Sequence, residues 1–103
     1  MNIEQTKIGT GVLFTVSGSL SGAENSTLRL FEAVSLALEG MPSEIVLDLS
    51  RTTFVDSLSV GLLVGILLKC KERNIRFRLQ NPSAPIHKIL ETTNLKKVFP
   101  ELY

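Results

Sequence analysis

Apolar positions along the chain recur first with a period of two, then at three- and four-residue spacing, and afterwards in alternating blocks of each kind. Residues 2–7 and 12–17 read as two strands joined through Gly9-Thr10-Gly11, which forms a hairpin turn. Val12, Phe14 and Val16 alternate with Leu13, Thr15 and Ser17, and residues 18–22 read as a loop. Over residues 25–39, the spacing of Leu28, Phe31, Val34 and Leu38 places them on one helical face. Gly40-Met41-Pro42 stops that helix. Ile45-Val46-Leu47 is short, unbroken and rich in β-branched residues, the pattern of a strand buried on both faces. A second helix is predicted over residues 58–73, with Asn74 as its C-cap. In the next strand, over 75–79, Ile75, Phe77 and Leu79 alternate inward against Arg76 and Arg78 outward. Asn81-Pro82 turns the chain into a third helix over 85–91, with proline early, where its missing N–H does no harm. Residues 95–99 read as a last helical turn.

This order predicts an α/β fold in a single domain over residues 1–103. Its sheet is mostly parallel, has four or five strands and opens on a hairpin, with three or four helices packed on it. An apolar content of 44% supplies a core, and 20% charged residues keeps the chain out of the disordered class. The one cysteine, Cys70, sits among leucines and suits a buried, inert thiol in a reducing compartment. Met1-Asn2-Ile3-Glu4-Gln5 has neither the basic nor the apolar region of a signal peptide, so a cytoplasmic setting is expected. The longest apolar run, residues 58–68, is shorter than the about 20 residues that span a bilayer.

Charge changes this picture in one respect. Residues 1–68 carry three basic and seven acidic side chains, and residues 69–103 carry eight basic and three acidic, so −4 is followed by +5. The basic residues are scattered over several elements without interleaved aromatics. They read as a solvated face or a docking surface for an acidic protein, not as a nucleic-acid patch.

The segment Thr53-Phe54-Val55-Asp56-Ser57-Leu58-Ser59-Val60-Gly61 concentrates the candidate chemistry. It delivers two residues able to cap a helix, Asp56 and Ser57, after a central strand over 45–49. In open α/β sheets, functional groups gather outside the carboxyl ends of strands. A hydroxyl at a helix N-terminus also sits where a phosphate is tolerated, because the dipole end favours an anion. Phosphorylation would add nearly two negative charges beside Asp56. Within the helix, Ser57, Gly61 and Gly65 fall four apart. Two glycines in a helix interior, at about 1 kcal/mol each relative to alanine, point to close packing of backbone on the sheet. A docking groove for a partner helix or a second copy is the other reading. The helix itself, aliphatic apart from those small residues, is expected to be buried on most sides or to have one side covered by a partner.

Catalytic chemistry is not legible. His87 is the single histidine and reads as a solvated residue, Ser57 has no evident base, and no His/Cys cluster offers a metal site. Gly18-Ser19-Leu20-Ser21-Gly22 lacks the lysine of a P-loop and reads as a turn. Asp48 is better placed as a strand-end residue bonded to local backbone than as a phospho-accepting aspartate. No cofactor is expected, and the chain is expected to bind and not to catalyse.

Val46-Leu47-Asp48-Leu49-Ser50, then Phe54-Val55-Asp56-Ser57 and an apolar helix, resemble the STAS domain of bacterial anti-sigma factor antagonists and of sulfate transporters. Gly18-Ser19-Leu20 is similar to the end of the family's early strand, and Ile86-His87-Lys88-Ile89-Leu90 with Leu95-Lys96-Lys97-Val98-Phe99 to its closing helix. In the antagonists, the serine directly after the loop aspartate is phosphorylated by the anti-sigma factor kinase, which ends binding. The resemblance therefore implies Ser57 as phospho-acceptor, with Asp56, Ser57, Leu58, Ser59 and Gly61 docking the partner together with Ser21 and Gly22 of the early loop. The chain departs from the family pattern at Leu58-Ser59-Val60, where a glycine is usual, and at Ser21, where an acid is usual. The implied function is an anti-sigma factor antagonist that docks a serine kinase. A structural STAS subunit of a bacterial lipid ABC transport complex is the alternative, and a module of a sensory or stressosome-like assembly a third.

Overall fold

The fold was analysed in a computed structural model, which describes residues 2–22 and 25–92. The elements run β1 (Asn2–Ile8), β2 (Gly11–Leu20), α1 (Ser26–Leu38), β3 (Glu44–Asp48), β4 (Thr52–Val55), α2 (Ser57–Glu72), β5 (Arg76–Gln80) and α3 (Ala84–Thr92). The helical turn expected at residues 95–99 lies outside the described residues. Gly9, at φ 62, makes the two-residue turn that brings Ile8 opposite Gly11, and β1 then pairs β2 antiparallel along its whole length. The sheet order is β1-β2-β3-β5, with β2–β3 and β3–β5 parallel. The mixed, mostly parallel α/β architecture is the one the alternating periods predict.

Two departures from the sequence pattern place the candidate site. First, β2 does not end near Ser17 but continues to Leu20. Gly18, at φ 91, takes a backbone conformation that L side chains avoid, and the register shifts between Gly18 and Ser19 as the strand bends. Second, the strand beyond β3's reach finds a new parallel neighbour, β4, with Ser19 opposite Phe54 and Leu20 opposite Val55. This four-residue strand escapes a search for apolar alternation because Thr52 and Thr53 open it. Thr52 is nonetheless buried, and its hydroxyl donates to the Val16 carbonyl at 2.9 Å.

Val12, Phe14 and Val16 of β2, Ile45 and Leu47 of β3, and Phe77 and Leu79 of β5 form one core with α1 and α2. Arg76 and Arg78 point to solvent, as their alternation requires. On α1 the buried stripe is Thr27, Leu30, Val34 and Leu38, whereas Leu28 is 56% exposed and Phe31 only partly buried. The expected stripe was therefore rotated by part of a turn. Both stripes share Val34 and Leu38; Leu30 completes the buried one, and Thr27 on the same face shares a buried hydrogen bond with Ser59. Asn74 follows α2 in the left-handed region, at φ 57. Its N–H reaches the Lys71 carbonyl at 3.2 Å, and the Ile75 N–H reaches Cys70 at 2.8 Å, a pair that closes the helix. Cys70 is buried, which pushes its thiol up to about 11 and keeps it protonated. No helix among the described residues is long and apolar enough to cross a membrane.

Candidate docking site

The ends of β2 and β4 lie side by side, and the two chains leave the sheet as Ser21-Gly22 and Asp56-Ser57. Asp56 is the N-cap of α2. One carboxylate oxygen accepts from the Ser59 N–H at 2.8 Å, satisfying a first-turn donor that has no partner within the helix. The other accepts from the Gly22 N–H at 2.9 Å, so a single side chain ties both loops together. The N–H of Gly22, and after it Ser59, hold the Asp56 carboxyl below the usual carboxylate range. Leu58 Cδ2 lies against Gly22, so a Cβ there would push the exposed Leu58 side chain aside.

Ser57, one residue on, is exposed at the first turn of α2. Ser59 has the opposite fate. It was expected among the partner-contacting residues, and it is sealed at 0% exposure. Its hydroxyl donates to the Leu20 carbonyl at 2.8 Å, so the hydrogen bond it shares with Thr27 Oγ1 is donated by threonine. Two helical positions on from Ser57, the side chain has turned from solvent to the interior, where a serine persists only with partners. Ser21 is likewise buried rather than presented, and its N–H and carbonyl both bond the Ser26 hydroxyl. These two positions therefore build the loop geometry instead of touching a partner. Thr27 and Ser26, which the sequence did not single out, complete this buried hydroxyl clasp at the start of α1.

Beside the clasp, α1 and α2 leave a mostly apolar groove of about 520 Å³. Leu28 and Phe31 line it on one side, Leu58, Gly61 and Leu62 on the other, with Ser57 and Gly22 at one end. Leu58 is 63% exposed and forms its most projecting wall. Of the two readings of this helix, burial on most sides fails: Leu58 and Leu68 face solvent, and Leu63, Ile66, Leu67 and Cys70 carry the inner face. Close packing against the glycines is also overturned, since a Cβ at Gly61 or Gly65 would meet no atom within 4 Å. Of the two, Gly61 lines the groove floor. Asp48 does what its position suggested, with one carboxylate oxygen accepting from the Ser50 N–H at 2.9 Å. His87 lies 3.3 Å from Glu91, one helical turn on in α3. Among the described residues, no group of three His, Cys, Asp or Glu side chains could hold a metal ion.

A family model described as the STAS domain matches residues 2–103. Among solved structures, an anti-sigma factor antagonist from Mycobacterium paratuberculosis is 21% identical, with 99% of this chain and 84% of that one aligned at a TM-score of 0.80. The Bacillus cell fate determinant SpoIIAA in its phosphorylated form is 22% identical over 99% of this chain and 89% of that one, at 0.77. A sulfate transporter family protein from Wolinella succinogenes shares 12% identity over 90% and 74% of the respective chains, at 0.71. At these identities the likeness is one of fold.

Proposed function

The chain belongs to the STAS domain family, whose members are regulatory binding modules, and from that premise we propose that it is a phosphate-switched docking protein of the anti-sigma factor antagonist kind. The observation that carries this reading is the placement of an exposed Ser57 hydroxyl at the end of an apolar groove, one residue from a carboxylate held in its charged form. In the unphosphorylated state, a partner segment covers Leu28, Phe31, Leu58 and Leu62 and removes apolar surface from water, the main driving force for such docking. The partner proposed is a serine kinase that acts as anti-sigma factor, and it approaches Asp56, Ser57, Leu58, Gly22 and Gly61 from outside.

Phosphorylation of Ser57 adds close to two negative charges at this rim. The free protein tolerates them, because the first turn of α2 presents unpartnered N–H groups and the positive end of the helix dipole. The docked complex does not. Covering the groove would strip water from a phosphate lying beside Asp56, and like charges brought together in a dry interface oppose binding. Ser57 thus changes affinity without changing the fold.

The test is to incubate the chain with ATP and the cognate kinase, map any phosphoryl group by mass spectrometry, and measure binding of wild type and Ser57→Glu. The switch requires phosphate on Ser57 and loss of binding in the variant. A transport-complex subunit in this family would hold its partner permanently, so binding indifferent to Ser57→Glu selects that reading instead.

A further inference from the structure

At the far end of α2, sixteen residues and roughly 24 Å of helix from Ser57, the sheet stops at β5. The strand order leaves β5 at an edge. The Arg76 N–H donates to the Ser43 carbonyl at 3.2 Å, and the Gln80 carbonyl accepts from the Leu49 N–H at 3.0 Å. Backbone groups alternate sides along a strand, so Phe77 and Leu79 turn their N–H and C=O away from β3. No strand among the described residues pairs that side. Unpaired backbone at a sheet edge is a template for another extended chain.

The side chains around this edge divide by face. Phe77 and Leu79 face the core, and Arg76 and Arg78 the solvent. Arg78 pairs with Glu44 at 3.4 Å, whereas Arg73 and Arg76 have no ion-pair partner among the described residues. Next to the inner face lies a concavity of about 380 Å³ lined by Leu67, Ile75 and Phe77, with Lys71, Asn74 and Arg76 at its rim. Residues 69–78 carry Lys69, Lys71, Arg73, Arg76 and Arg78 against the single acid Glu72.

We propose that the edge of β5, unpaired among the described residues, accepts an extended acidic segment of another protein as an added strand. Its acidic side chains face Arg76, and its alternate apolar side chains enter the socket beside Leu67 and Ile75. Charge decides among the possible occupants. A second copy pairing through its own β5 would set arginines opposite arginines, and like charges across a strand pair destabilise it. Residues 93–103 of the same chain bring Lys96 and Lys97 against Glu101, further positive charge for a cationic face. An acidic segment gains from the cations and from the backbone edge together: main-chain bonds supply affinity, and alternating side chains supply specificity. This surface is separate from the groove at Ser57 and does not rest on the function assigned to it.

The test titrates the isotope-labelled full chain with a capped peptide alternating Glu and Val. The Phe77 and Leu79 amides should shift and become protected from exchange, while the amides of residues 57–62 stay in place. Arg76→Glu, at an exposed position, should leave the melting temperature unchanged and weaken binding about tenfold. A peptide with Lys for Glu should not bind, and neither should the Glu/Val peptide N-methylated at alternate residues, whose strand donors are gone. Equal binding of the N-methylated peptide would reduce the surface to a diffuse ionic attraction and overturn the proposal. Shifts confined to the groove, or no movement of the β5 amides at millimolar peptide, would overturn it as well.

Discussion

The two ends of α2 are closed by different means. At its start, side chains reach across three separated stretches: Asp56 binds the Gly22 N–H, and Ser59 the Leu20 carbonyl and the Thr27 hydroxyl. At its finish the closure is made by the backbone alone, through the N–H groups of Asn74 and Ile75. The first arrangement fixes where the neighbouring surface atoms stand, which suits the docking role proposed for Ser57. The second leaves the surrounding side chains free to carry charge, and the cations of residues 69–78 gather there. A helix end that depends on distant side chains should be sensitive to substitution, and one closed by its own carbonyls should be tolerant.

That contrast can be broken most directly at Ser59. Ser59→Ala takes the acceptor from the buried Thr27 hydroxyl and leaves the Leu20 carbonyl only the long Asp56 N–H contact at 3.4 Å, and should cost about 1–3 kcal/mol in urea unfolding. A loss no greater than that of an exposed serine would show that the clasp holds nothing. At the other end, Asn74→Ala puts a Cβ-bearing residue without a local polar side chain at φ 57 and should cost about 1 kcal/mol. Asn74→Gly should cost little, because only the conformation is needed. At Gly61 the sign reverses: the site is open, so Gly61→Ala should stabilise by up to about 1 kcal/mol. Gly61→Leu should fold normally yet lose partner binding, since its side chain fills the groove floor; a fall in melting temperature would restore the close-packing reading.

The finest adjustment is in pH. Asp56 has its carboxyl pKa lowered in the folded state, so its contribution is fully present above the ordinary carboxylate value, about 3.9. It is lost as pH falls through the lowered folded value. Asp56→Asn should remove that part of the acid dependence, read as a flatter plot of unfolding midpoint against pH below about 4. An unchanged slope would mean that the two N–H bonds do not favour the charged form.

How much of this was legible before the fold was known depends on distance along the chain. The Gly9 turn, a cap at Asp56 or Ser57, a helix stop within one residue of Asn74 and the inward alternation of Phe77 and Leu79 were readable, because each is decided within one turn or one strand by backbone conformation and side-chain period. Several departures involve partners more than thirty residues apart, as Thr27–Ser59 does, whereas Ser21 is held by Ser26 only five residues on. From spacing alone, Leu28 and Phe31 belonged to the core; the face that carries Leu30 and Thr27 packs inward instead, and they line the groove. The same holds for β4, whose polar start conceals a strand that exists only because β2 outruns β3.

By itself, then, the sequence determined the order and type of most elements, the family likeness, the capping pair Asp56-Ser57 and the burial of Cys70. Only the tertiary structure decided that Ser57 faces water while Ser59 is sealed, that the glycine stripe is open, and that α1 and α2 part to leave an apolar groove. The physical reason is that period and propensity are local properties, whereas exposure is a property of a residue's neighbours. Those neighbours are set by how separate elements pack, which no single segment encodes.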